Sequence, residues 1–183
     1  MTRRTNTFTT AYRRKRERRT NYRKRLKLLL AGKLRIVVRK MLNTINVQVV
    51  AYESAGDKIL ASAASSELKK LGWSNGTGNV PGAYLTGMLA SKRCQSAGIS
   101  EAVLDIGLST SVKGSRIYSA VKGAIDAGMK ISCADVMFPS EDRIRGKHIE
   151  QLWKNNKSVF KKMNPENITK NFDDVKNRIL KSA

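Results

Sequence analysis

Hydrophobic and polar positions divide the chain into three stretches. Residues 1–33 hold few apolar side chains among many basic ones, and a basic helix is predicted over residues 13–31, ending near Gly32. Residues 34–140 carry the apolar runs of a folded core. Residues 141–183 are polar, with apolar positions at helical spacing. We therefore expect a basic N-terminal arm, an α/β domain and a helical C-terminal extension.

The α/β domain begins with three predicted strands. Leu34–Arg39 is apolar and β-branched, Ile45–Tyr52 alternates between apolar and polar residues, and Lys58–Ala63 is a third short run. The short connections between these strands predict an antiparallel meander. A short helix over Ser65–Leu71, capped by Ser65 or Ser66, is predicted to follow.

Helices and strands alternate after the meander. The predicted elements are, in chain order, a helix over Pro81–Ala97, a buried strand over Glu101–Leu108, a helix over Arg116–Ala127 that Gly128 ends, and a final strand over Lys130–Cys133. The inner face of the first helix is predicted to carry Leu85, Met88 or Leu89, and Ala97. A strand, a crossover helix and another strand imply parallel pairing. The fold class is therefore α/β, with a mixed sheet and helices on both faces. In the extension, Phe172, Val175, Ile179 and Leu180 mark a last amphipathic helix.

Charge adds the strongest functional signal. The formal net charge is +22, and residues 1–33 hold nine Arg and four Lys against Glu17 alone. More than half of the net charge therefore lies in less than a fifth of the chain. Such an excess repels itself unless an anionic partner neutralises it, so a polyanion is the expected partner.

Other classes of protein fit less well. The two cysteines, Cys94 and Cys133, form no CxxC pair, so a reduced, cytoplasmic setting is favoured over a disulfide framework. No apolar run is long enough to cross a membrane, and the basic N-terminus lacks the apolar segment of a secretory signal. We expect no membrane contact, no cofactor and no small-molecule substrate.

The run from Arg13 to Lys33 supplies most of the predicted nucleic-acid contacts. Arg binds a phosphate through two parallel hydrogen bonds, whereas Lys offers a point charge. Tyr22 could stack on an unpaired base. The predicted contacts of this run are Arg13, Arg14, Lys15, Arg16, Arg18, Arg19, Tyr22, Arg23, Lys24, Arg25, Lys27 and Lys33. Charge alone does not choose between RNA and DNA.

Candidate catalytic groups are few. Asp105 in its strand, with Asp135, is the one carboxylate pair that could resemble a nuclease site around a divalent metal. His148 is the only histidine, so a multi-histidine metal site is excluded. We favour structural roles for these residues and expect no metal site and no enzyme.

Two further segments could approach a phosphate. The glycines at 76, 78 and 82 have GxGxxxG spacing without the Lys of a phosphate-binding loop, which is weak evidence for a nucleotide site. Lys113–Arg116 opens a helix, where free N–H groups favour an anion. Lys113 and Arg116 are therefore predicted contacts, although a plain turn and helix cap explains the segment about as well.

Several motifs together resemble one protein family. In chain order they are Arg18–Tyr22, Arg23–Leu30, Leu34–Lys40, Ala61–Leu68, Gly72–Trp73, Thr77–Asn79 with Pro81, Ala83–Gly87, Ala102–Leu108, Gly123–Gly128, Arg145–Gly146 and His148–Ile149. Residues 12–150 resemble the archaeal and eukaryotic 5S-rRNA-binding protein of the large ribosomal subunit, number eighteen in archaeal naming and number five in eukaryotes.

This resemblance implies a fold and a function. The fold is a mixed sheet of the kind seen in ribonuclease-H-like translation components, and the function is structural, without catalysis. The resemblance implies that the chain binds 5S rRNA and helps attach it to the 23S-type large-subunit rRNA in the central protuberance, beside another 5S-binding ribosomal protein. Arg39 and Lys40 match the family pattern and are carried over as RNA contacts. Met41–Thr44 departs from it, because the family usually has polar and basic residues there.

Two alternative functions come from other classes. A nuclease-like enzyme would use Asp105 and Asp135, and a general DNA-architectural protein would use the basic run without choosing RNA. Metal-dependent cleavage would identify the first, and preference for duplex DNA over structured RNA would identify the second.

Overall fold

A computed structural model of the chain describes residues 9–157 and 165–181. Residues 1–12 are rich in Thr and Asn and hold few large apolar groups, so we expect them to be extended or disordered when free. Residues 1–8 of this stretch lie outside the described residues. The elements are, in chain order, α1 (Arg13–Arg16), α2 (Tyr22–Leu30), β1 (Arg35–Lys40), β2 (Ile45–Ala51), β3 (Lys58–Ala64), a 3-10 helix (Ser65–Leu71), α3 (Val80–Ser96), β4 (Val103–Asp105), α4 (Arg116–Asp126), a 3-10 helix (Asp135–Met137), α5 (Glu141–Arg145), α6 (Lys147–Asn155) and α7 (Ile168–Lys181).

The strands form a mixed sheet in the order β3-β2-β1-β4. β2 pairs antiparallel with both β1 and β3, and β4 pairs parallel with β1. The parallel pair requires a crossover between β1 and β4, and α3 provides it. The predicted mixed sheet, with its antiparallel meander, is therefore confirmed.

Alternation along the strands assigns the two faces of the sheet. Ile45, Val47 and Val49 on β2 are fully buried on the inner face, which packs against α3. Arg35 and Gln48 belong to the opposite, outer face. Helix α2 lies over this outer face, where its side chains and those of β1 and β2 line one cleft.

Helix α3 occupies the centre of the core. Its residues from Val80 to Ser91 are all buried, because the sheet, α4 and α7 each contact the helix. α3 and α4 approach most closely at two glycines. A Cβ added to Gly87 would overlap the carbonyl oxygen of Ala120, and one added to Gly123 would overlap that of Tyr84. Glycine at these two positions lets the helix backbones touch.

Helix α7 contributes to the same core. Ile168, Phe172, Val175 and Ile179 are each at most 2% exposed, whereas Leu180, another of the residues used to predict this amphipathic helix, is 42% exposed. At the helix surface, Arg178 Nη1 donates to the carbonyl oxygen of Leu71 at 2.9 Å, and Asn171 Nδ2 donates to that of Gly72 at 2.9 Å. The division of the chain after residues 33 and 140 stays a prediction, but α7 packs on the α/β body.

The single helix predicted over residues 13–31 is broken in the structure. α1 ends at Arg16, Arg18 has a positive φ of 53°, and α2 begins after Asn21. The Asn21 side chain accepts a hydrogen bond from Lys24 N at 3.1 Å. This cap starts a new helix where the uncharged residues Thr20–Tyr22 interrupt the basic run.

Three further predictions about elements were wrong. Neither Ser65 nor Ser66 is the N-cap of the 3-10 helix, because that position is Ala64. Ser65 Oγ accepts from Ile45 N, and the Glu67 carboxylate accepts from Ala64 N. Ala97 is exposed, since α3 has ended before it. The strand predicted over Glu101–Leu108 is only three residues long, because pairing with β1 starts at Val103 and the chain turns at Gly107 (φ 61°).

The final strand predicted over Lys130–Cys133 is also absent from the described sheet. Lys130 forms one isolated parallel bridge with Glu101. Lys130 N donates to Ser100 O, and Ala102 N donates to Lys130 O. The chain then turns into the 3-10 helix at Asp135, so the bridge does not extend.

We expect Gly87→Ala to destabilise the protein by about 3 kcal/mol, because the new methyl group must push α4 away. Helix propensity alone would give the opposite sign, a gain of about 1 kcal/mol. Urea denaturation measures the difference. Ser96→Ala, at an exposed position of α3, is the control and should change the unfolding free energy by less than about 0.5 kcal/mol. A stabilising Gly87→Ala would contradict the close helix contact.

Candidate nucleic-acid interface

Most of the predicted arm contacts project into solvent. The exposed basic side chains on α1, α2 and the turn between them are Arg13, Arg14, Lys15, Arg16, Arg18, Arg19, Arg23, Lys24 and Lys27. Glu17 lies 3.6 Å from Arg13 and 3.4 Å from Arg19. Exposed pairs of this kind contribute at most about 1 kcal/mol, so both arginines stay available to a phosphate.

Five residues form a chain of ion pairs between α2 and the outer face of the sheet. Arg25 on α2 contacts both carboxylate oxygens of Asp57, at 3.0 and 2.8 Å. Asp57 Oδ1 lies 2.7 Å from Arg35 Nη2, and Arg35 Nη1 donates to Asp105 Oδ2 at 3.1 Å. Arg39 Nη2 completes the chain at 3.3 Å from Asp105 Oδ1. We call Arg25, Asp57, Arg35, Asp105 and Arg39 the clasp.

Arg35 is the centre of the clasp. It is 1% exposed, and a buried charge is tolerated only when it is paired and hydrogen-bonded. Burial alone would raise the pKa of Asp57, but the hydrogen bonds from Arg25 and the adjacent positive charge of Arg35 outweigh it and lower that pKa below its ordinary value of 3.8. The hydrogen bond to Asp57 likewise raises the pKa of Arg25. Arg25 and Asp57 therefore hold each other in the charged form.

Two residues of the clasp, Arg25 and Arg39, are among the predicted RNA contacts. Arg25 is bidentate on Asp57, and Arg39 also donates to the backbone carbonyl of Asp105 at 2.9 Å. Their guanidinium groups therefore connect the arm and the strands. Sequence reasoning missed Asp57 and Arg35, although an arginine within the apolar run Leu34–Val38 was a signal that a buried partner exists.

Three other predicted contacts also have partners within the chain. Arg116 Nη1 donates to Gly78 O at 2.7 Å and to Met41 O and Leu42 O at 3.3 Å each. Lys33 lies 3.0 Å from Glu101 in an exposed pair. The ring of Tyr22 packs at 5.1 Å from that of Tyr12. An RNA would have to displace or share these partners.

Lys40 and Lys113 complete the predicted set. Both are exposed, and neither forms an ion pair with another residue of the described part of the chain. Lys40 ends β1, and Lys113 precedes α4 in the loop that Arg116 connects to the β1–β2 turn. The predicted cations therefore fall into two groups, one on the arm and one around this turn.

Asp105, one of the two carboxylates considered for a nuclease-like site, is bound to other groups of the chain. Asp105 is paired with Arg35 and Arg39, and its Oδ1 accepts from Gly107 N at 2.7 Å. Within residues 9–157 and 165–181, no group of three or more His, Cys, Asp or Glu side chains could hold a metal ion. Burial lowers the pKa of His148 and raises that of the Cys94 thiol to about 11. The structural role expected for Asp105 agrees with its contacts.

A cluster of exposed cations on a folded α/β body is typical of nucleic-acid-binding proteins. A family model described as ribosomal large subunit proteins 60S L5 and 50S L18 matches residues 6–99 and 95–134. The large ribosomal subunit protein uL18 of Thermofilum pendens is 44% identical over 179 residues, which cover 91% of each protein. The chain belongs to this family of large-subunit ribosomal proteins.

Family membership confirms the coarse functional prediction. The protein is a constituent of the large ribosomal subunit, and the family consists of structural proteins rather than enzymes. The resemblance inferred from the sequence motifs is likewise confirmed. Among the described helices, none has the length and apolar character needed to cross a membrane.

We expect Asp57→Asn to lower the unfolding free energy by about 2 kcal/mol at neutral pH, because Arg25 and Arg35 both lose an anionic partner. The value is below that of a fully buried pair because the Asp57 side chain is 25% exposed. Its lowered pKa stabilises the fold above pH 3.8, and this contribution disappears as the pH falls through the folded-state pKa. The variant and the wild type should therefore converge in acid.

Urea denaturation at neutral and acidic pH measures this difference. Glu53→Gln is the control, because Glu53 lies 3.8 Å from Lys58 in an exposed pair of the same hairpin. Its effect should stay below about 0.5 kcal/mol. If both substitutions lowered the unfolding free energy equally at neutral pH, the ion pairs of Asp57 would stabilise the fold no more than an exposed surface pair does.

Proposed function

We propose that this ribosomal protein binds 5S rRNA and helps attach it to the 23S-type large-subunit rRNA in the central protuberance. Family membership supports the ribosomal setting. The single observation that carries the proposal is the row of exposed cations on α1 and α2, held at the sheet by the clasp. A neighbouring 5S-binding ribosomal protein is the proposed protein partner.

The arm contacts RNA through phosphates in this proposal. Cations on adjacent turns of α1 and α2 meet successive phosphates and release the counterions that the RNA had condensed. Because the clasp orients α2 before RNA arrives, less ordering entropy opposes binding than for a free arm. Tyr22 would leave Tyr12 to stack on an unpaired base.

The predicted contacts take two roles in this proposal. The exposed arm cations, together with Lys40 and Lys113, touch RNA directly. Arg25, Arg39 and Arg116 position the contact surfaces, because their guanidinium groups already bridge the arm, the sheet and the β1–β2 turn. Lys33 also binds a phosphate in this proposal, while it keeps its exposed ion pair with Glu101.

Filter binding to three nucleic acids tests the proposal. We expect 5S rRNA to bind at least about tenfold more tightly than an unrelated structured RNA of the same length, a difference of about 1.4 kcal/mol. Duplex DNA of equal charge is the third ligand and should bind no better than the unrelated RNA. Equal affinity for the two RNAs would contradict specific recognition, and preference for DNA would favour the architectural alternative.

A triple substitution tests the role of the arm. Lys15, Arg16 and Arg23 are exposed and have no ion pair with another described residue, so their replacement by Ala should leave the circular dichroism spectrum unchanged. Losing three phosphate contacts should reduce the slope of log affinity against log salt by about 2–3.

Three exposed lysines elsewhere, Lys69, Lys70 and Lys181, provide a control with the same loss of charge. Their replacement by Ala should change the salt slope by less than one third as much if contacts rather than net charge decide binding. Equal loss in both triple variants would mean that the arm has no special role.

A further inference from the structure

The turn between β1 and β2 exposes apolar side chains. Leu42 is 86% exposed and Met41 is 54% exposed, in a segment whose neighbours are polar or basic. A single exposed leucine is common on protein surfaces, but Met41 and Leu42 together form an apolar patch at the tip of a turn. Exposed apolar patches, unlike scattered single residues, mark interaction sites.

The backbone of this turn is fixed from three sides. Met41 N donates to Thr44 O at 2.8 Å, and Thr77 Oγ1 donates to Asn43 O at 2.7 Å. Arg116 donates to the carbonyl oxygens of Met41 and Leu42. The turn is therefore preorganised, and a contact made by its side chains does not require the loop to order first.

The packing beneath the turn is tight as well. Gly78 lies directly under it, and a Cβ at this position would come within 2.9 Å of Leu42 O. The third hydrogen bond of Arg116, to Gly78 O, joins the turn to the loop before α3. Carbonyl groups thus point into the body of the protein while the Leu42 side chain points away from it.

The turn and the segments that hydrogen-bond to it carry only positive charge. The turn and the two segments that hydrogen-bond to it, residues 39–46, 74–80 and 111–118, contain Arg39, Lys40, Lys113 and Arg116 but no Asp or Glu. Asp105, which approaches Arg39, is already paired with Arg35. An apolar tip flanked by cations complements a polyanion that also offers an apolar surface, and an unstacked nucleic-acid base beside its phosphates has both properties.

We propose that Leu42, supported by Met41, packs against the face of an unstacked rRNA base, while Lys40 and Lys113 bind the flanking phosphates. This inference rests on the proposed function and adds a base contact to the phosphate contacts of the arm. Apolar wedges of Leu or Met between base steps are a known mode of nucleic-acid binding. The contact between Leu42 and a base releases no counterions, whereas the phosphate contacts of the arm do. The salt dependence of binding therefore distinguishes the two.

Substitutions at Leu42 in the full-length chain test the inference against 5S rRNA and large-subunit rRNA. Leu42→Ser should weaken binding to one of these RNAs by about fivefold without changing the salt slope, because an apolar contact releases no counterions. Leu42→Phe should bind at least as tightly as the wild type, since an aromatic ring stacks on a base more strongly than leucine does. Lys40→Ala should instead reduce the salt slope by about 0.7–0.9.

Leu152→Ser is the matched control, because Leu152 on α6 is 50% exposed and lies outside this surface. It should leave affinity for both RNAs unchanged. Wild-type affinity of Leu42→Ser for both RNAs would overturn the inference, even if the arm variant confirmed phosphate binding. If that variant bound RNA normally but failed to enter reconstituted large subunits, the turn would bind a protein instead, which also overturns it.

The proposed function can fail separately. If wild-type protein showed no preference for 5S rRNA, specific 5S binding would be wrong. The comparison of Leu42→Ser with Leu42→Phe on large-subunit rRNA would still decide whether the turn contacts a base.

Discussion

The burial of Arg35 is the constraint on which the arrangement of the arm and the sheet depends. A guanidinium group that is 1% exposed needs anionic partners on the outer face of the sheet. These partners are Asp57, which directly precedes β3, and Asp105 at the end of β4. Each carboxylate then binds a second arginine, Arg25 or Arg39. The charge that stabilises the sheet thereby also sets the position of α2.

This arrangement also explains how a chain of net charge +22 folds. Acidic groups are used where they join elements: Asp57 and Asp105 in the clasp, Glu67 with Arg93 beside β3, and Asp126 with Lys122 and Tyr84 between α3 and α4. Hydrogen bonding by Arg93 lowers the pKa of Glu67, so this pair stays charged. Many of the cations that form no ion pair with another described residue lie on the arm and around the β1–β2 turn, where a polyanion can neutralise them.

Elements with a clear local pattern were predicted closely. β1, β2 and β3 followed from alternation and β-branching, and α4 ended before Gly128 as expected. The errors arose where a distant partner changed the local outcome. Ser65 bonds to Ile45 across the sheet instead of capping its helix, and β4 is short because only Val103–Asp105 meets β1. The missed break at Arg18 was an error of another kind, because the uncharged residues Thr20–Tyr22, with Asn21 as a typical capping residue, were a local signal that a new helix begins.

The sequence by itself determined the mixed α/β fold, the concentration of cations in residues 1–33 and, through its ordered motifs, the ribosomal family. Strand patterns, helix ends and charge density depend on residues close together in the chain. The tertiary structure alone decided which cations are free and which are structural. Arg35 meets Asp105 across 70 positions and Arg116 meets Met41 across 75, and such pairings depend on strand order and register. The tertiary structure shows that Arg25 attaches the basic run to the sheet, and that Leu42 forms a second exposed surface at the β1–β2 turn.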